Sequence, residues 1–260
     1  MTVIGFITEY NPFHFGHKYH LDQSKKKTGA KFSIAIMSGS FVQRGEPSLV
    51  DKWTKAKMAI DNGVDLVLEL PFIYAVQSAE LFAYGGVKLM DSLNIVDYLS
   101  FGSELGEINP LQKIATILTK EPPFFKERLK YHLSTGASFA VARSNATEEY
   151  INAYSSNIQY DIKEILNNSN NILGIEYLKA LGKIHSKITP LTIRRSGSSY
   201  NDVNISQGFA SATAIRHAVK NKNLSSVKDI VPKETYYYLN GFFDQHYNYN
   251  YFENYNQIFL

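Results

Sequence analysis

Residues 2–20 read TVIGFITEYNPFHFGHKYH, and the parsing of this stretch decides the fold. Residues 2–7 are apolar and β-branched, so they predict a short buried strand. Residues 16–27 predict a helix closed by Gly29, a residue suited to the left-handed position after a helix. Between strand and helix lies NPFHFGH, residues 11–17. Pro12 fixes φ and stiffens the turn. Gly16 omits a side chain where backbone must approach a ligand. A helix that starts here aims unpaired N–H groups and a positive dipole end at whatever lies in front, which suits phosphate. His14 and His17, three apart, share a face of the first turn and can donate to phosphate oxygens. A shared metal ion is the weaker reading. His14 and His20 drift to different faces, there is no HExxH, and no acid stands at ligand spacing. Packed or surface histidines remain the plain alternative.

The pattern repeats outward. Residues 32–37 (FSIAIM) predict a second strand and residues 51–61 a helix stopped at Asn62-Gly63. Residues 64–70 predict a third strand, residues 75–91 a helix and residues 95–102 a fourth strand. Apolar strands alternating with helices make βαβ units, hence an α/β chain with a Rossmann-like, doubly wound parallel sheet. Ligands in such sheets sit at the carboxyl ends of the strands, where the NPFHFGH turn falls. After Gly102 the pattern turns helical, over residues 109–118, 122–133 and 137–150, so a helical insertion spans about 108–168. Residues 173–181 form another helix, 187–195 a last strand, 196–210 a long polar loop and 211–222 a helix capped by Ser211. The expected division is a nucleotide-binding domain over 1–222 and the start of a C-terminal helical region over 223–260. Residues 236–260, YYYLNGFFDQHYNYNYFENYNQIFL, are aromatic-rich and stop on Ile258, Phe259 and Leu260. They are expected to pack against helices further along a longer chain.

Composition sets outer limits. The 260 residues carry a net charge of +3 and no cysteine, which removes disulfides, thiolate metal sites and thiol nucleophiles. No stretch approaches a membrane span, and the opening residues lack a basic leader, so a cytoplasmic protein is expected. Modest positive charge permits an anionic partner without requiring one.

A second phosphate-type segment stands at the far end of the sheet. SATAIR, residues 211–216, places the Ser211 and Thr213 hydroxyls and the Arg216 guanidinium near one helix start. Read alone it is an ordinary capped helix. His14-Phe15-Gly16-His17 together with SATAIR resembles the HxGH nucleotidylyltransferase superfamily, with Asn11 where many members carry Asp. Longer pieces narrow the resemblance: GFITEYNPFHFGHKYHL, MSGSFVQRGEP, DKWTKAKMAIDNGVDLVLELP, QSAELFAYGGV and NNILGIEYLKAL. Across essentially the whole chain they look like the bacterial tRNA(Met) cytidine acetate ligases, whose members run on into further C-terminal helices.

That resemblance implies ATP and acetate giving acetyl-adenylate, with transfer of acetyl to the wobble cytidine of elongator tRNA(Met) to form N4-acetylcytidine. It implies ATP as co-substrate, allows Mg2+, and implies no tightly bound cofactor. It assigns ATP to the segment Ile7, Thr8, Glu9, Tyr10, Asn11, Pro12, Phe13, His14, Phe15, Gly16, His17, Lys18, Tyr19 and His20, with His14 and His17 catalytic. Gly102, Asn171, Arg194 (or, with one residue of slippage, Arg195), Ser211, Thr213 and Arg216 complete the ATP set. Gln43, Arg44, Lys52 and Lys55 are candidates for acetate or tRNA, and Lys25, Lys26, Lys27, Lys126, Arg128, Lys130, Lys220 and Lys222 for the RNA backbone. Each of these charges could equally be solvated surface. Two other readings stay open: a nucleotidylyltransferase acting on a small phosphorylated metabolite, and a non-catalytic nucleotide- or RNA-binding module.

Overall fold

The computed structural model describes residues 1–154, 160–195, 210–221, 224–246 and 248–256. The loop over 196–209, Lys222 and the terminal Ile258, Phe259 and Leu260, all singled out above, lie outside the described residues. The elements are β1 (Val3–Thr8), α1 (Phe15–Thr28), β2 (Phe32–Ser38), α2 (Lys52–Asp61), β3 (Leu66–Leu70), α3 (Phe72–Ala75), α4 (Ala79–Ser92) and β4 (Tyr98–Ser103). A helical block follows: α5 (Ile108–Lys120), α6 (Pro123–Ser134), α7 (Phe139–Tyr154), α8 (Ile162–Asn167) and α9 (Ser169–Lys183). Then come β5 (Thr189–Arg194), α10 (Ala212–Lys220) and α11 (Lys233–His246).

The five strands form one parallel sheet in the order β3-β2-β1-β4-β5. Residues of β1 are buried on both faces, which explains its unbroken apolar run. Ile4 and Phe6 face one core with Leu21, Met58 and Ile215, beneath α1, α2 and α10. Ile7 faces the other with Phe82, Phe101 and Ile175, beneath α4 and α9. Gly86 lets α4 lie close on β1: a Cβ there would stand 2.8 Å from the Ile7 side chain. Successive strands move away from β1 in one direction (β2, β3) and then resume on its other side (β4, β5). The crevice between β1 and β4, at their carboxyl ends, is therefore the switch point where such sheets hold ligands.

Helix ends follow sequence chemistry. Gly29 ends α1 in the left-handed conformation, φ 67°. Asp51 caps α2 by accepting from the Trp53 and Thr54 N–H groups. Two expectations are corrected. The helix foreseen over 75–91 starts only at Ala79, because Ser78 takes non-helical backbone (ψ 158°) as the N-cap of α4, and Phe72–Ala75 form the separate short α3. Helix α8 was not foreseen at all. Its signal is Asp161 three residues before Glu164, whose N–H the Asp161 carboxylate accepts at 2.9 Å. In the C-terminal segment, Leu239, Phe242 and Tyr249 are buried in the core beneath α1 and α2. Tyr249 donates to the Leu239 carbonyl, and the Asn250 N–H donates to the Leu49 carbonyl at 2.9 Å.

Candidate functional site

The turn after β1 places His14 as the N-cap of α1. Its Nδ1 accepts from the Gly16 N–H at 3.0 Å, while His17 Nδ1 accepts from the His14 N–H at 3.3 Å. This is a capping box made of two imidazoles where Ser/Thr and Glu/Gln are usual. The rings stack at 3.7 Å between centroids, and Tyr10 and Phe13 pack against His17. With Nδ1 occupied as an acceptor, the proton of each neutral ring resides on Nε2. Neither Nε2 has a partner among the described residues.

Both rings are neutral. Burial, with the charges of Arg195 and Arg216, pushes His14 down to about 3. Burial, with His14 and Arg195, holds His17 well below the ordinary histidine value. Two neutral donors beside two guanidinium groups make a cavity that is positive without carrying an imidazolium.

His14, Gly16, His17, Tyr19 and His20 line this cavity from α1. Gly102 lines it from β4, Ile193 and Arg194 from β5, and Arg195, Ala210 and Ser211 from the segments that follow. Ile193 and Ala210 are additions to the foreseen set, and Arg195, foreseen as the one-residue alternative to Arg194, lines the cavity beside it. Gly102 faces the Arg195 side chain, which a Cβ would approach to 3.2 Å. Ser211 caps α10 by accepting from the Ala214 N–H at 3.0 Å. Arg216 donates to the Asn11 carbonyl at 2.9 Å and to Thr213 Oγ1 at 3.2 Å. Both acceptors are neutral, so its charge is left to act on the cavity. The two motifs, some 200 residues apart in sequence, therefore meet at one place.

Other foreseen residues do not line the cavity. Ile7 belongs to the core, and Thr8 ends β1. Glu9 accepts the Gln43 N–H at 2.7 Å, and the buried Asn11 accepts the Leu49 N–H at 2.8 Å. Tyr10 and Phe13 are buried, Pro12 follows a cis peptide, Phe15 is exposed, and Lys18 pairs with Asp22 at 2.7 Å. Asn171 is buried, and its Oδ1 accepts from the Glu104 and Leu105 N–H groups. Its amide thus shapes the turn after β4 and does not line the cavity.

The 38–50 loop divides its charges. Arg44 is exposed, and Lys52 pairs with Glu69 at 2.7 Å. Lys55 is fully buried, which corrects its reading as a contact for acetate or RNA. Its ammonium donates to the Ser38 and Gly39 carbonyls and to Ser48 Oγ at 2.8–3.1 Å, clamping both ends of the loop. Burial lowers it to about 7, opposed by Glu9 and Glu69. Lys55→Met keeps the stem but removes three buried hydrogen bonds, so it should cost about 3 kcal/mol. Urea unfolding at pH 7 measures this, and a midpoint equal to the parent's would show that the clamp carries no stability.

Among the basic clusters, Lys25, Lys126, Arg128 and Lys220 pair with carboxylates, while Lys26, Lys27 and Lys130 are exposed. No helix among the described residues is long and apolar enough to cross a membrane.

Against known proteins, a sequence model described as HIGH Nucleotidyl Transferase matches residues 1–260. A tRNA(Met) cytidine acetate ligase of Clostridium novyi (strain NT) is 50% identical over 240 residues, covering 92% of this chain and 59% of that protein. The crystal structure of Thermotoga maritima TmcAL (apo, form I) superposes with a TM-score of 0.92 at 38% identity, covering 98% of this chain and 60% of that one. The same protein bound with alpha-thio ATP gives 0.89, covering 98% and 59%. This chain thus spans about 60% of the length of the relatives it matches.

Proposed function

The chain belongs to the HIGH Nucleotidyl Transferase family, and on that premise we propose that it is an ATP-dependent ligase that activates acetate and acetylates elongator tRNA(Met). An acetate oxygen attacks the α-phosphorus of ATP, the bond to the β-phosphate oxygen breaks, and acetyl-adenylate and pyrophosphate form. The N4 amine of the wobble cytidine then attacks the acetyl carbonyl, AMP leaves, and a proton is lost from nitrogen. The observation that carries this reading is the pair of Nε2–H donors of His14 and His17, set at a helix N-terminus beside Arg216 and Arg195. Fixed donors of this kind stabilise charge growing on a leaving pyrophosphate. The likeness to tRNA(Met) cytidine acetate ligases supports acetate and tRNA(Met) as substrates, and the thio-ATP-bound neighbour supports ATP.

Among the described residues no carboxylate lines the cavity, and Mg2+ carried on the phosphate oxygens of ATP would supply further positive charge there. The wobble base must be splayed out of the anticodon loop to reach the anhydride. A tRNA substrate places the reaction in the cytoplasm.

Pyrophosphate release from ATP is the test, run with and without acetate and elongator tRNA(Met). Release that requires acetate is expected. Release that ignores acetate but requires a phosphorylated metabolite would overturn the assignment in favour of metabolite adenylylation.

A further inference from the structure

His20 lines the same cavity as His14 and His17, further along α1. Its hydrogen bonds can be followed proton by proton. The Ser24 hydroxyl donates to the His20 carbonyl at 2.6 Å, because a carbonyl can only accept. Ser24 has one hydrogen, so in its 2.7 Å contact with Ser100 the donor is Ser100. Ser100 also has one hydrogen, so in the 2.9 Å contact between His20 Nε2 and Ser100 Oγ the donor is His20. The ring is edge-on to Phe6, at 5.2 Å and 88°, which fixes its plane. Burial and the charge of Arg195 keep it neutral, at about 3. A neutral ring with its proton on Nε2 carries a bare lone pair on Nδ1. No partner for that lone pair exists among the described residues.

The cavity therefore presents two polarities. His14 and His17 offer N–H donors at the helix start, whereas His20 offers an acceptor about 9 Å beyond His14 and about 4.5 Å beyond His17 along the helix axis at the usual rise. Phosphate oxygens are acceptors and cannot pair with a bare imidazole nitrogen. We propose that His20 is a specificity-determining residue that accepts, at Nδ1, a hydrogen bond from a donor on the nucleoside half of ATP. ATP has two such sources, the 6-amino group of adenine and the ribose hydroxyls. The inference rests on the ATP reading above and adds which part of the nucleotide each histidine meets.

Two measurements test it. Nitrogen-15 NMR of the imidazoles should show His20 protonated on Nε2 and bare on Nδ1, with the Nδ1 resonance shifting on addition of ATP. Calorimetric binding of ATP should be compared with purine riboside triphosphate, which lacks the 6-amino group, and with 2′-deoxy- and 3′-deoxy-ATP. One of these analogues should bind the parent about tenfold more weakly than ATP, the size of one hydrogen bond. The analogue that does so identifies the source. His20→Leu should erase that gap. Ser100→Ala, which removes the acceptor that holds Nε2–H, should narrow it while leaving the imidazole in place. A His20 ring protonated on Nδ1, or discrimination that survives in His20→Leu, would overturn the inference alone. Failure of the parent to bind ATP would overturn the ATP reading and this inference with it.

Discussion

His17→Ala should lower the rate of acetate-dependent pyrophosphate release by about 10²–10³, the usual cost of deleting one fixed donor at a developing anion. His14→Ala should do the same. The rings stack on each other and each completes the other's hydrogen bonding at the start of α1. They act as one unit, so the double variant should be only slightly worse than either single one. The fold should survive, because removing a helix cap costs about 1 kcal/mol. Asparagine at position 17 retains an N–H donor on a shorter stem and should recover part of the rate. The pH profile separates this mechanism from an imidazolium one. Both rings are neutral throughout the physiological range, being held far below the ordinary histidine value by burial and by Arg195 and Arg216. Their contribution to the rate should be flat between about pH 6 and 8, whereas an imidazolium donor would fade above about 6.5. Parent-like turnover by His17→Ala, or a loss of rate through pH 6.5–7.5 that disappears in that variant, would remove the neutral-donor mechanism.

How much of this was legible follows from what each residue's signal depends on. Strands β1 and β2 announce themselves because burial on both faces demands apolar residues at every position, as in VIGFIT and FSIAIMS. Gly29 and Asp51 mark helix ends through their own backbone and side-chain chemistry. His14, His17 and Ser211 could be named from motif spacing at strand and helix ends, Gly102 and Arg194 only through the family resemblance, and all five line the cavity. The break at Val76–Ser78 was hidden because apolar spacing runs through it. Lys55 was misread because a sequence gives a residue's charge but not its depth. The partners of His20 were invisible for a different reason: Ser100 is 80 residues away and serine is commonplace. Contacts set by the crossing of α1 over β4 leave no trace in local pattern. That is why His20 could be named with the ATP-binding stretch while its part as an acceptor could not be read from sequence.

The same three histidines should make the protein acid-labile well above the carboxylate range. In the unfolded chain each would titrate near 6.5, whereas in the folded protein His14 and His20 sit at about 3 and His17 is lowered in the same direction. Below about pH 6.5 the unfolded state therefore binds protons that the native state does not, and stability falls as pH falls. Each histidine contributes about 1.4 kcal/mol per pH unit once its unfolded form is protonated. His14 and His20 together give about 3 kcal/mol per pH unit, with His17 adding to the same slope. Asp51, Asp65 and Glu149 also have lowered values, but their protonation acts below about 4.5. The interval from 6.5 to 4.5 thus belongs to the histidines. By about pH 4 the loss reaches the lower end of a typical domain's margin of about 5–15 kcal/mol. Guanidinium unfolding at pH 7.5, 6.5, 5.5 and 4.8 measures the slope. His20→Leu should reduce it by about one proton, since the only group removed is one that titrates in the unfolded chain alone. A stability that is level from 6.5 to 4.8 would mean that the imidazoles are protonated in place. The cavity would then hold fixed positive charge, and the tautomers assigned to His14, His17 and His20 would all fall together.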